Sequence, residues 1–205
     1  MFPRTLNHKS LAQGISYLCK VDPDLARVVS DLGHPPLWAR QPGFATLLQI
    51  ILEQQVSLAS ARAAYQKLEK ASGQITPERF LTFTDAELRQ FGFSRQKTEY
   101  GRVLSKAIVN RRMDLDRLSD LEDGEVRREL IQLKGIGPWT ADIYLLMALL
   151  RPDIWPSGDL ALVSAVQQFK NLSEKPTADQ IDQITEKWKP WRSVAARIAW
   201  HYYLN

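Results

Sequence analysis

The chain has 205 residues, 44% hydrophobic and 24% charged, enough apolar material for one core or two small lobes and far from the composition of a disordered chain. Lys and Arg number 27 against 23 Asp and Glu, a net charge of +4, which suits a polyanionic partner without demanding one. The single cysteine, Cys19, and three widely spaced histidines, His8, His34 and His201, exclude an intramolecular disulfide and a four-cysteine metal site, and imply no transition-metal cofactor.

Residues 1–20 lack the basic-then-apolar order of a secretory leader, and no apolar run reaches the length of a membrane span. A soluble, intracellular protein is expected, with residues 1–10 loosely held. His34-Pro35-Pro36 and Gln41-Pro42-Gly43 mark loops. Phe44, Leu47, Leu48, Ile51, Leu52 and Val56 then recur at helical spacing, predicting one long amphipathic helix over 44–68. Ser72-Gly73 ends it, and Thr76-Pro77 opens the next helix as N-cap and first helical residue. Thr84 with Glu87, Ser119 with Glu122, and Thr177 with Gln180 each have the spacing of a capping box. Leu88 and Phe91 close a helix at Gly92, and Tyr100, Val103, Leu104 and Ile108 give another. Strand-like alternation is scarce, so the fold class is all-α.

Residues 125–133 read as a helix with Val126, Leu130 and Leu133 on one side. Lys134-Gly135-Ile136-Gly137-Pro138-Trp139-Thr140-Ala141-Asp142 follows. Gly135 suits the left-handed end of a helix, Ile136 can plug a hairpin into the core, and Pro138 starts the next helix. A helix start with no side chain at Gly135 or Gly137 attracts a phosphate and lets a nucleic-acid backbone approach closely. A plain tight turn between packed helices is the alternative reading of Gly-Ile-Gly by itself. The longest apolar run, 143–150, is a core-sized helical segment. Pro156-Ser157-Gly158 is a loop, and Asp159 stands where it would cap a helix over 160–169.

The hairpin followed by Ile154-Trp155-Pro156-Ser157-Gly158-Asp159-Leu160 resembles the helix-hairpin-helix DNA glycosylase superfamily that includes endonuclease III. Three further segments resemble its DNA-3-methyladenine glycosylase II branch: Ile50-Ile51-Leu52-Glu53-Gln54-Gln55-Val56-Ser57, Phe91-Gly92-Phe93-Ser94-Arg95-Gln96-Lys97, and Trp188-Lys189-Pro190-Trp191-Arg192-Ser193-Val194-Ala195. The resemblance runs from about Pro35 onward. It implies a single domain over 1–205, a two-lobed helical bundle with a central cleft, its hairpin at about 125–150 and its catalytic loop at about 154–160.

The resemblance implies that Asp159 is the catalytic carboxylate; by spacing alone, a helix N-cap is the commoner use of such an aspartate, and the two roles are compatible. Relatives that also cut the DNA backbone carry a lysine nucleophile where Trp139 stands, so hydrolysis without strand cleavage is expected. Family pocket aromatics fall at Trp139 and Trp200. A family tyrosine falls at Ile143, with Tyr144 one place off. Lys134, Gly135, Ile136, Gly137 and Trp139 form the expected backbone grip, and a monovalent cation at the hairpin carbonyls is implied too. Gln55 falls at the wedge that fills the gap left by a flipped base. Arg95, Lys97 and Arg192 are candidate phosphate contacts, with an internal ion pair the alternative for Arg192. Glu53, Asp142 and Asp153 are weaker candidates for the carboxylate, and Trp188 and Trp191 are expected to be structural. The expected activity is excision of alkylated purines, of the 3-methyladenine and 7-methylguanine type, by a monomer without organic cofactor acting on double-stranded DNA that holds damaged bases. A non-catalytic helix-hairpin-helix module and a glycosylase for deaminated bases are the alternatives.

Overall fold

The computed structural model describes residues 3–205. Among them are twelve α-helices and no strand: α1 (His8–Val21), α2 (Pro23–Leu32), α3 (Phe44–Glu53), α4 (Leu58–Ser72), α5 (Pro77–Thr82), α6 (Asp85–Phe91), α7 (Arg95–Val109), α8 (Asp123–Ile131), α9 (Pro138–Met147), α10 (Leu160–Phe169), α11 (Ala178–Glu186) and α12 (Arg192–Leu204). The chain forms two compact units. The first is discontinuous, Met1–Ala39 with Leu145–Asn205, and the second, Arg40–Tyr144, is contiguous. The boundary falls inside α9.

In the first unit, α1 and α12 approach closely because Gly14 has no side chain: a Cβ there would lie 2.8 Å from atoms of Trp191 and Val194. Leu18, Leu25, Leu162, Val166, Trp188, Val194 and Ile198 are buried in this unit's core. Asp22 is wholly buried at the junction of α1 and α2. Both its oxygens accept from Lys170 Nζ at 2.8 Å, Oδ2 also accepts from Trp188 Nε1 at 2.7 Å, and Lys187 Nζ stands 3.0 Å away. Burial pushes this carboxyl up, but the hydrogen bonds from Lys170, Trp188 and Lys187 outweigh it and hold it at about 2.

A further buried charge of this unit, Arg197, has no carboxylate among its hydrogen-bond partners. Arg197 donates to three carbonyls: Leu37 O at 2.7 Å, Ser193 O at 2.9 Å and Leu146 O at 2.8 Å. Burial lowers its pKa to about 9, so it stays charged at neutral pH. It fixes the loop before α3 at Leu37, next to Trp38, whose φ of 48° is unusual for a bulky residue.

The second unit packs α3, α4, α5, α6 and α7 around Phe80, whose ring meets Phe44 and Phe93. A Cβ on Gly101 would lie 2.6 Å from that ring, so α7 lies directly against α5. Thr76, Thr84, Ser94 and Ser57 each cap a helix by accepting a backbone N–H, contributions of about 1 kcal/mol apiece.

Three expectations need correction. The helix over 44–68 is two helices, because Gln54 is extended, Gln55 has φ 55° and Ser57 starts α4 as its N-cap. Ser119 does not cap a helix; it lies in a 3-10 turn, and the box is Glu122 with Glu125, whose Oε2 accepts Glu122 N at 3.1 Å. Residues 1–10 are not uniformly loose. Leu6 is buried and bonds Leu150 O at 2.7 Å, and Asn7 and Ser10 form the capping box of α1. Met1 and Phe2 lie outside the described residues.

Candidate functional site

Asp159 follows Gly158, whose φ of 84° turns the loop sharply into α10. It is the N-cap of α10, its Oδ1 accepting Leu162 N at 3.0 Å. The same oxygen receives Trp200 Nε1 at 3.4 Å. Carboxylate and indole are both half-buried, so the acid is oriented by two N–H groups and still faces outward in part. Leu160, next in the chain, is 71% exposed, an apolar side chain in water beside the carboxylate. Arg192 is not available as expected: it forms a two-pronged pair with Asp153, 2.9 Å to each oxygen. That pair ties α12 to the loop before Asp159.

The hairpin belongs to the second unit. Gly135 has φ 96°, and a Cβ there would lie 2.1 Å from Tyr100 Cγ, so backbone conformation and close packing both demand glycine. Ile136 is buried as the expected plug. Gly137 differs: its φ is not positive, and a Cβ there would meet nothing within 4 Å. Neither strain nor packing explains glycine at that place. Lys134 at the hairpin is exposed and pairs with Glu99 at 2.6 Å, which raises its pKa. Trp139, in the first turn of α9, is half-buried. Of the hairpin carbonyls at which a monovalent cation was expected, Gly135 O accepts Gln54 Nε2 at 2.8 Å.

Gln55 is exposed on the turn between α3 and α4. Arg95 is exposed at the start of α7. Lys97 Nζ donates to Leu52 O at the end of α3, and burial lowers its pKa. Ile143 and Tyr144 are buried. Tyr144 is wholly buried, its hydroxyl accepts Gly43 N at 2.9 Å, and burial chiefly pushes its pKa to about 12. Among the weaker carboxylates, Glu53 pairs with Arg40 and Asp142 with Arg127. Trp188 is structural, as expected, through its bond to Asp22.

Sequence reasoning missed the role of Gln54 because its partners lie more than 80 positions away. It missed Trp38, half-buried and edge-on to His201 with ring centroids 6.4 Å apart, because nothing in the string marks a left-handed tryptophan. Among the described residues, no cluster of His, Cys, Asp or Glu has the make-up of a metal site, and no helix is long and apolar enough to cross a membrane.

Residues 48–190 match the HhH-GPD superfamily of base excision DNA repair proteins. The structure is similar to that of a Schizosaccharomyces pombe 3-methyladenine DNA glycosylase in complex with abasic DNA, with a TM-score of 0.87 at 25% identity over 92% of this chain and 95% of that one. A Bacillus halodurans DNA-3-methyladenine glycosidase gives 0.74 at 28% identity, over 90% and 85%. In sequence, a Bacillus subtilis DNA-3-methyladenine glycosylase is 28% identical over 77% of this chain. The chain spans between 56% and 64% of the length of three curated relatives it matches, two from Bacillus subtilis and one from Schizosaccharomyces pombe. The match across 48–190 takes in the hairpin and Asp159 alike, and on it the chain belongs to the HhH-GPD superfamily of base excision DNA repair proteins.

Proposed function

We propose that the protein is a DNA glycosylase that hydrolyses the bond between an alkylated purine and its deoxyribose in duplex DNA, leaving the strand intact. The observation that carries this reading is the Asp159 carboxylate, part-exposed and oriented by Leu162 N and Trp200 Nε1. Breaking a glycosidic bond builds positive charge on the sugar. A fixed carboxylate beside C1′ stabilises that charge and can orient the attacking water. The base must leave the stack first, because its bond is out of reach inside the duplex. The hairpin at Gly135–Gly137 supplies a hold on the backbone, and Gln55 a side chain for the vacated space.

Alkylation at N3 or N7 makes a purine cationic and weakens its bond to the sugar. The indole of Trp200, beside Asp159, would favour such a base by about 1–2 kcal/mol per contact. Trp139 has no nucleophilic nitrogen of the kind a Schiff base requires, so water is the acceptor and an abasic site the product. The similarity to DNA-3-methyladenine glycosylases supports this substrate class.

The test is excision from a duplex with one 7-methylguanine, assayed with and without alkali. Strand breaks are expected only after alkali. Asp159→Asn keeps an oxygen for the Leu162 cap and is expected to lose at least about a hundredfold in single-turnover rate, with duplex binding retained. Normal excision by that variant sinks the reading.

A further inference from the structure

Three consecutive residues at the end of α3 are each tied to a different part of the second unit. Leu52 O accepts Lys97 Nζ from α7. Glu53 forms a two-pronged pair with Arg40, at 3.0 and 3.1 Å. Gln54 Nε2 donates to Gly135 O and Thr140 Oγ1, both at 2.8 Å. On the far side of the turn, Ser57 Oγ accepts Ser60 N and opens α4. Between these anchors stands Gln55, exposed, with φ 55°. A left-handed conformation at a non-glycine residue persists only where its flanks over-determine it. Here they do, and the direction of the Gln55 side chain is set by them.

Of the three ties, only that of Gln54 reaches the hairpin. Gly135 is the hairpin turn itself, and Thr140, buried, is in the first turn of α9. A carbonyl oxygen only accepts, so the amide nitrogen of Gln54 must face it. One side chain therefore separates the segment suited to hold a phosphate from the backbone that aims Gln55. We propose that Gln54 is a positioning residue that couples the hairpin's hold on the DNA backbone to insertion of Gln55 into the base stack. The proposal rests on the glycosylase reading above, with Gln55 as the inserting side chain.

The variants are Gln54→Met, which keeps length and removes the donor, and Thr140→Val, which removes one acceptor. Insertion is read from 2-aminopurine fluorescence next to a stable abasic-site analogue, the hold on the backbone from anisotropy with an undamaged duplex, and catalysis from single-turnover excision. Gln54→Met is expected to bind undamaged duplex within about twofold of wild type, yet lose the insertion signal and roughly tenfold in excision rate. Combined with Gln55→Ala it should add nothing further, since the two would act as a unit. A rate loss equal to the product of the single effects, or an unchanged insertion signal, overturns the proposal. A residue that merely stabilises the turn would lower the melting temperature and weaken both duplexes alike. If Gln54→Met does not fold, Thr140→Val decides by the same readouts. If wild type excises no alkylated base, the glycosylase reading fails, while the insertion signal on the abasic duplex still tests the coupling.

Discussion

Gly135 and Gly137 sit two positions apart and are glycine for different reasons. At Gly135 a methyl group would collide with the Tyr100 ring and force a left-handed conformation on alanine. Gly135→Ala is expected to cost roughly 2–4 kcal/mol in urea or thermal unfolding. At Gly137 the added methyl meets only open space. Gly137→Ala should unfold within about 0.5 kcal/mol of wild type yet bind duplex about tenfold more weakly, close to 1.4 kcal/mol. If it binds duplex normally, the open space has no backbone to receive. Both residues look alike as letters. The motif announced a hairpin, but the ring beneath Gly135 comes from a residue 35 positions earlier, and only the fold brings it there.

Elements were legible wherever the signal was local. Thr76, Thr84 and Thr177 cap the helices their spacing announced, and α10 runs over the residues expected behind Asp159. The break between α3 and α4 was not, because apolar residues keep helical spacing up to Val56 and mask the turn. Ser57 was the available sign. Side-chain ties between elements were largely hidden too: Lys97 read as a cation for phosphate, and for Arg192 an internal pair was an alternative but its partner, Asp153, was not legible. The Asp22 cluster, which joins α1 and α2 to the ends of α10 and α11, is the strongest of these ties and gives a prediction. Its carboxyl lies at about 2 when folded against 3.8 when free. A pKa lowered by folding contributes stability that is fully present above about pH 4 and is lost as pH falls toward 2. The contribution is about 2 kcal/mol. Unfolding free energies of wild type and Asp22→Asn from urea titrations should therefore converge by that amount between pH 5 and pH 2. A constant gap would mean the network does not hold the charge.

For the molecule as a whole, the net charge of +4 understates how many cations have internal partners. Lys170, Lys187, Arg192 and Arg197 are all engaged within the first unit, and Lys97 within the second. A grip on about two to four phosphates would make duplex affinity fall roughly 10- to 150-fold between 50 and 200 mM salt. Anisotropy titrations check this, and Arg192→Gln should leave the slope unchanged. A much steeper dependence would mean that Arg192 or Lys97 exchanges its partner for DNA. The all-α class and the hairpin were readable from composition and motif. Two lobes were implied by the resemblance, but not which distant segments share a core: that the opening residues join those from Leu145 onward in one unit is visible only in the fold.

Because the first unit is assembled from residues up to Ala39 and from Leu145 onward, its two halves are born far apart in time. Leu37 waits for Arg197, and Asp22 for Lys170 and Trp188. During synthesis the contiguous unit has all its residues first and can complete its core while α1 and α2 still lack theirs. The opening helices therefore spend most of translation with an unsheltered apolar face and an unneutralised aspartate. A ribosome that stalls after the second unit has emerged and before α12 leaves a chain whose middle is finished and whose beginning is not.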